Sequence, residues 1–333
     1  MNKKYVLILL LCSALICSMG WFTNLEVQAA KKNPISGEDV YGNTWSYDTT
    51  TKTMTFSGKG LAGSDYIPDG HGYSPEWHCW ANEAEHLIVG EGITGIGRSS
   101  FYDFGRLESV QLPDTLESIG GSAFSTCMSL KEVIIPEAVT VIDNFAFSGN
   151  DNLERVVFST SLKKIGNFAF SGSEQLREIV LPDTVTTVGE SAFTNCTRLQ
   201  KVTLSKKLKT IKKSTFWGCK RLSQLEIPES VTKIGVGAFQ GTGLKKLVIP
   251  KNVTSFYRKK GESAYKSVHG LFKDCKNLRS VTIQSKKLKK VYKYAFTKLN
   301  KKVVFYVPKS KVKKYRKMFL ASGSDKKIKI RAI

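Results

Sequence analysis

Acidic side chains nearly vanish from the second part of this chain. From residue 201 onward there are 37 Lys and Arg against 5 Asp and Glu, whereas the first 200 residues hold 14 basic and 23 acidic groups. The net charge of +23 therefore sits at the far end, and that end should seek anionic surfaces. Histidine is scarce as well, with 4 in 333 residues. His71 and His78 stand with Asp69 and Cys79 in "DGHGYSPEWHCW". Their spacing follows no familiar metal-ligand pattern, and adjacent His and Cys seldom serve one ion. A Cys79–His78 nucleophile pair, the one hydrolase reading, has no evident oxyanion donor, and in an extended segment the two side chains diverge. The glycines of "VGEGITGIG" lie inside a repeat and not between a strand and a long helix, so they make no phosphate loop. No enzyme, no metal and no cofactor is expected.

Long hydrophobic runs are confined to the start. Lys3 and Lys4 precede an apolar stretch from Tyr5 to about Phe22, and Val27 and Ala29 occupy the small-residue positions of a signal-peptidase site. Residues 1–29 are predicted to be a secretory signal cleaved after Ala29, an uncleaved anchor being the alternative. Cys12 and Cys17 follow Leu11 and Ile16, where lipid attachment requires a small residue. No second span follows, so the mature chain is expected to be secreted or extracellular, in association with the cell surface or free. Its cysteines are Cys79, Cys127, Cys196, Cys219 and Cys275. An odd number, four of them at one repeat position, predicts buried thiols better than a disulfide framework. A stacked Cys196–Cys219 bridge stays open as an alternative.

What is abundant is repetition. Phe101, Phe124, Phe147, Phe170, Phe193, Phe216 and Phe239 recur every 23 residues, and Phe272 and Phe296 follow after steps of 33 and 24. Each unit has an apolar stretch such as "LREIVLP", a proline, a second short extended piece such as "VTTVG", and an "SAF"-like turn with Phe inward. The alternation of Ile179 and Leu181 marks a half-buried strand, proline stops its pairing, and Gly189 is expected to permit a tight bend. A fixed period of this length signals a solenoid, in which each coil buries its apolar side only against its neighbours. The predicted fold is a leucine-rich repeat solenoid, β-rich with short turns or 3-10 segments, made of nine coils.

The ends need caps. Residues 30–86 are predicted to form a β cap, with Trp45 and Tyr47 opposite Met54 and Phe56 in a hairpin and Trp77 and Trp80 laid over the first coil. Residues 300–333 are predicted to form a helix-and-strand cap. There Ser310 is placed to cap a helix carrying Val312, Tyr315 and Phe319 on one side, and "KIKIRAI" forms an edge strand.

The unit "LxxVxLPxxVxxIGxxAFxxC", spanning 87–299, resembles the BspA-type leucine-rich repeat, also called the Treponema pallidum-type repeat. The lead-in "WSYDTTTKTMTFSGKG" and the ending "YVPKSKVKKYRKMF" are similar to segments that such secreted bacterial proteins carry. The resemblance implies a secreted or surface protein, several relatives of which adhere to host matrix proteins or cells, and it brings no catalytic motif. Unlike larger members, the sequence shows no sorting motif and no wall-binding repeats.

Two surfaces are candidates. The outward strand position holds Ile134, Val157, Val180, Thr203, Val248 and Thr282, with Gln111 and Glu226 between; its first three residues predict a short exposed apolar strip, although β-branched residues also simply suit strands. The second is basic. Lys163, Lys164, Lys206, Lys207, Lys209, Lys233, Lys286, Lys287, Lys289 and Lys290 are expected to project outward, and Arg258, Lys259 and Lys260 make the insertion at 257–266 a plausible contact loop. Stacked like charges repel, so an anionic partner would relieve them. The expected function is a monomeric, non-enzymatic binding or adhesion scaffold that recognises an extracellular protein or glycan. A structural role on an anionic wall polymer or sulfated glycan is the alternative. Nucleic acid is disfavoured, because no aromatic is interleaved for base stacking.

Overall fold

The computed structural model describes residues 33–64, 75–259, 270–324 and 328–333. The expected signal at 1–29, Asp69, His71, Lys260, His269 and most of the 257–266 insertion lie outside the described residues.

The first three strands are β1 (Ile35–Glu38), β2 (Thr44–Asp48) and β3 (Thr53–Ser57). In the antiparallel β2–β3 hairpin Trp45 faces Phe56 and Tyr47 faces Met54, so all four apolar side chains share one buried face. β3 then pairs in parallel with His86–Val89. The hairpin's inner strand is thereby the first rung of a parallel ladder, and the solenoid has about ten turns, roughly matching the nine coils read from the sequence.

Two parallel ladders climb the molecule. The front ladder continues through Ser109–Gln111, Glu132–Ile134, Arg155–Val157, Glu178–Val180, Lys201–Thr203, Gln224–Leu225, Lys246–Ile249, Ser280–Ile283 and Val304–Val307, and closes on Lys329–Ala332. It is divided among four sheets. The second ladder starts at Gly60–Ala62 and ends at Lys290–Val291. Its register steps through Ile119, Ile142, Ile165 and Val188, one repeat apart.

The turn side is held by backbone bonds of its own. In the middle coils the column phenylalanine donates its N–H to the next coil: Phe124 to Ala146 (2.8 Å), Phe147 to Ala169 (2.8 Å) and Phe193 to Thr215 (3.0 Å). The residues two before and two after do the same, as at Phe145 to Asn167 and Gly149 to Ser171. Aiming these N–H groups along the axis puts the flanking residues in the left-handed region, so that Ser122 has φ 56° and Thr126 φ 60°. Inside, the nine column rings are buried and follow one another at 5.3–6.4 Å, within 16° of parallel. Offset stacking of this kind adds about 0.5–1.5 kcal/mol per pair beyond area burial.

Gly189 serves a purpose other than the expected bend. A Cβ there would lie 2.2 Å from the Gly166 carbonyl oxygen, so what requires glycine is the close approach of two coils just past the second-ladder strand Thr187–Val188. The cysteine slot is also specific. Each thiol donates to the carbonyl of the column Phe one coil back: Cys127 to Phe101 (3.3 Å), Cys196 to Phe170 (3.2 Å), Cys219 to Phe193 (3.1 Å) and Cys275 to Phe239 (2.9 Å). None of these four is in a disulfide.

At the first end Trp77 stands edge-on to Phe56 (5.1 Å) and donates its indole N–H to the Ser100 carbonyl (2.8 Å), while Trp80 stacks on Tyr47 (4.7 Å). At the other end helix α1 (Val312–Ala321) lays Phe319 against Phe296 at 4.5 Å. The Tyr315 hydroxyl donates to Ser285 O (2.7 Å) and accepts from Leu288 N (3.2 Å). Ser310 is not the cap predicted for it. A 3-10 turn over Lys309–Lys311 follows Pro308, and α1 starts from Lys311 without a side-chain cap. Burial of Tyr315 and Phe319 anchors this helix instead.

Candidate functional site

The front ladder sorts its outward side chains unevenly. Ile134 is 60% exposed, Val180 54% and Val248 45%; Thr203 is exposed, but Val157 and Thr282 are only half-buried positions. The expected continuous strip Ile134–Val157–Val180 is therefore broken at its centre. The inward slot filled by Ile135 and Leu181 in neighbouring coils holds Phe158 in this one, whose ring meets Phe170 edge-on at 5.6 Å. Strand pairing is interrupted between Arg155–Val157 and Glu178–Val180.

Beside that strip runs a charge pattern that only stacking brings together. In one column Glu108 pairs with Lys131 (4.0 Å) and Glu154 with Arg177 (3.5 Å). In the adjoining column Glu132 pairs with Arg155, and Glu178 with Lys201 (2.7 Å). The two columns alternate in sign out of step, giving a checkerboard. Each exposed pair contributes at most about 1 kcal/mol, yet together they leave the front of the first half nearly neutral. The pattern ends at Lys201. Gln200, Ser223 and Gln224 continue the columns without charge, and then Lys245 and Lys246 stand side by side with Arg279 one coil on.

Along the second ladder the predicted cations are exposed: Lys163, Lys164, Lys206, Lys207, Lys209, Lys233, Lys286, Lys287, Lys289 and Lys290. Two of them are matched, Lys164 with Asp143 (3.8 Å) and Lys206 with Asp183 (3.5 Å). The backbone N–H of Lys206, aided by the Lys206 and Lys207 charges, holds the Asp183 carboxyl below the usual carboxylate range. Among the described residues no carboxylate lies within ion-pair distance of Lys207, Lys209, Lys233, Lys286, Lys287, Lys289 or Lys290. The insertion's cations differ. Arg258 is half-buried, its guanidinium 5.4 Å from the Tyr292 ring centroid and donating to Lys293 O (3.0 Å), and Lys259 pairs with Glu190. These two hold the coil edge; the rest of the predicted contact loop, from Lys260, lies outside the described residues.

Among the described residues His78 and Cys79 do not face each other as a nucleophile pair. His78 lies edge-on to Phe104 at 5.5 Å, and burial pushes its pKa down. The Cys79 thiol donates to Glu76 O (3.0 Å). Among the described residues no three His, Cys, Asp or Glu converge on a common point, and no helix is long and apolar enough to cross a membrane. An open depression between Gln284, Lys286, Pro308, Lys309, Ser310 and Ile333 lies near the second end.

A family model of the BspA type leucine rich repeat region matches in several copies over residues 78–197, 140–266 and 262–332. The chain belongs to the BspA-type leucine-rich repeat family. Leucine-rich repeat proteins of Bacteroides ovatus (18% identity, 91% of this chain and 100% of that chain, TM-score 0.46) and Eubacterium ventriosum (20%, 83% and 85%, 0.46) are similar in structure. So is the leucine-rich repeat protein of T. pallidum, at 25% identity over 62% of this chain and 89% of that one, with a TM-score of 0.37. No curated protein matches.

Within this BspA-type unit, sequence reasoning missed one position. The residue two before the column Phe is left-handed as Ser99, Ser122, Ser191, Ser214 or Gly237 in five coils and as Tyr294 (φ 70°) in the last. In two successive coils it is Phe145 (φ 60°) and Phe168 (φ 55°), stacked at 4.9 Å and 3° from parallel. A left-handed L-residue costs about 1–2 kcal/mol, and a bulky one there is an outlier. Two consecutive phenylalanines in a column otherwise mostly Ser and Gly were the available signal.

Proposed function

We propose that this protein is a secreted or cell-surface, non-enzymatic binding scaffold whose basic second half holds an anionic polymer, a wall polymer or a sulfated glycan, along the solenoid. The residues we assign to that contact are Lys206, Lys207, Lys209, Lys286, Lys287, Lys289 and Lys290, with Lys233 between the two groups. The observation that carries the reading is the end of the alternating pairs at Lys201. Before it, the front-ladder charges pair within the protein; after it, the second ladder carries Lys206, Lys207 and Lys209, then Lys233, then Lys286, Lys287, Lys289 and Lys290, with Thr210 and Ser255 on rungs between them and almost no internal partner. A flexible polyanion lying along the axis meets several of them at once, and each contact is screened by salt. Family membership and the apolar start at Tyr5–Phe22 support export, with the signal removed after Ala29 and a cap at each end of the array. A monomer is the expected working unit.

The test is retention of the full chain on immobilised heparin and on teichoic acid, eluted with a salt gradient. The triple reversal Lys286→Glu, Lys287→Glu, Lys289→Glu is expected to elute at clearly lower salt with unchanged circular dichroism. Elution unaffected by the reversals would overturn the reading. A second reading, contact with an extracellular protein through the front ladder, is favoured by the exposure of Ile134 and Val180. Binding that survives high salt but is lost in Val180→Glu would select it.

A further inference from the structure

The stacked pair Phe145–Phe168 is not among the residues assigned to the polyanion and is not needed for the fold, since Ser or Gly fills the same position in five other coils. We propose that the open face of the Phe145 ring, together with Arg98 and Asp143, is a seat for one pyranose ring of a neutral glycan.

The geometry of the slot comes first. The two rings are one coil apart, at 4.9 Å and 3° from parallel, so their faces look along the solenoid axis. Phe168 covers one face of Phe145. On the other side the same position is Ser122, whose N–H donates to Asn144 O, and no ring continues the stack. Phe145 is accordingly 43% exposed. The slot is thus a missing rung: a flat apolar face, fixed by a backbone that allows the side chain little freedom, above a serine.

Its rim decides the occupant. Gly121 precedes Ser122 and carries no side chain; a Cβ there would meet Asn144 O at 3.4 Å, Arg98 Nε at 3.6 Å and Asp143 Oδ2 at 3.9 Å. Asp143 turns its other oxygen, Oδ1, to Lys164 Nζ (3.8 Å), which leaves Oδ2 toward the gap. Arg98 is exposed and makes no hydrogen bond or ion pair with any described residue. Donor and acceptor therefore stand together beside Gly121, in the coil that the open face of Phe145 looks toward. A pyranose offers that combination: an apolar C–H face and equatorial hydroxyls that each donate and accept. An aliphatic or aromatic side chain in the slot would desolvate Arg98 and Asp143 without pairing them, which is unfavourable. A polyanion would meet the Asp143 carboxylate.

The experiment is saturation-transfer NMR on the full chain with chitotriose, maltotriose, mannotriose and xylotriose as probes, at low and raised salt. At least one of these neutral sugars should receive transfer on its ring C–H protons, insensitive to salt. Phe145→Ser, a residue the column already uses, should weaken that sugar about tenfold with an unchanged melting curve. Asp143→Ala should weaken it as well, a loss that mere stacking would not show. Retention on heparin, measured on Phe145→Ser, should not change, so failure here is distinguishable from failure of the basic-half reading. No transfer to any of the sugars, transfer that survives Phe145→Ser, or preferential saturation of N-acetyl-tryptophanamide over all of them would overturn the proposal.

Discussion

Replacing Phe193 with alanine tests the physical basis of the whole array. Phe193 is fully buried, with ring centroids 5.7 Å from Phe170 and 5.9 Å from Phe216. Truncating such a side chain costs about 3–5 kcal/mol, combining lost transfer energy with the cavity left behind. The two lost ring contacts, about 0.5–1.5 kcal/mol each, fall within that figure. The backbone bond from Phe193 to Thr215 O and the thiol bond from Cys219 involve no ring atom, so they remain and the coil is not unthreaded. Against a total stability of about 5–15 kcal/mol, the loss is a large part of the fold. In a one-dimensional array it also weakens the coupling between the two sides of the cavity. Urea titration of the full chain by far-UV circular dichroism should show a midpoint well below wild type, and Trp217, one coil on, should lose its native fluorescence before Trp45 and Trp77 of the cap. Phe145→Ala is the internal control, since its ring is half in solvent and its backbone strained; it should change stability by under about 1 kcal/mol. If Phe193→Ala costs no more than Phe145→Ala, the column is not the core and the stacking argument fails.

Gly189→Ala should destabilise, against the usual stabilising sign of about 0.4–1 kcal/mol for Gly→Ala at compatible positions. The new Cβ meets Gly166 backbone at 2.2 Å, and forcing the coils apart costs about 1–3 kcal/mol; a raised melting temperature would refute the close-approach reading. Thiol labelling in native buffer should modify Cys79 well before Cys127, Cys196, Cys219 and Cys275, because burial pushes those four thiols up and the thiolate is the reactive form. The four should label only as denaturant unfolds the chain, and rapid native labelling of Cys196 or Cys219 would count against the buried carbonyl contacts.

Much of the fold was legible because its determinants are spaced in the sequence as they are in space. The 23-residue period of Phe124, Phe147 and Phe170 becomes one ring per coil, and the pairs Trp45–Phe56 and Tyr47–Met54 follow from simple alternation. The misreadings arose where packing or a turn overrode the local pattern. Val157 looks outward by alternation, but its strand carries Phe158 in a slot shaped for an aliphatic residue. Ser310 has the residue type of a cap, but the 3-10 turn after Pro308 moves the helix start past it. Gly189 reads locally as a bend and is in fact demanded by Gly166 of the preceding coil.

The candidate surfaces divide along the same line. That the second half is basic is a matter of composition, and no folding is needed to see it. Which lysines are neutralised is not, because Glu178 meets Lys201 and Asp183 meets Lys206 only when coils 23 residues apart are stacked in register.

The sequence by itself determined that the chain is a stacked array with phenylalanine inside, since a periodic apolar residue can be buried only by its own repeats. The tertiary structure alone decided where the surface charge goes unmatched and where an aromatic face stays open. Those properties belong to the spaces between neighbouring coils, and such spaces exist only once the coils are stacked in one register.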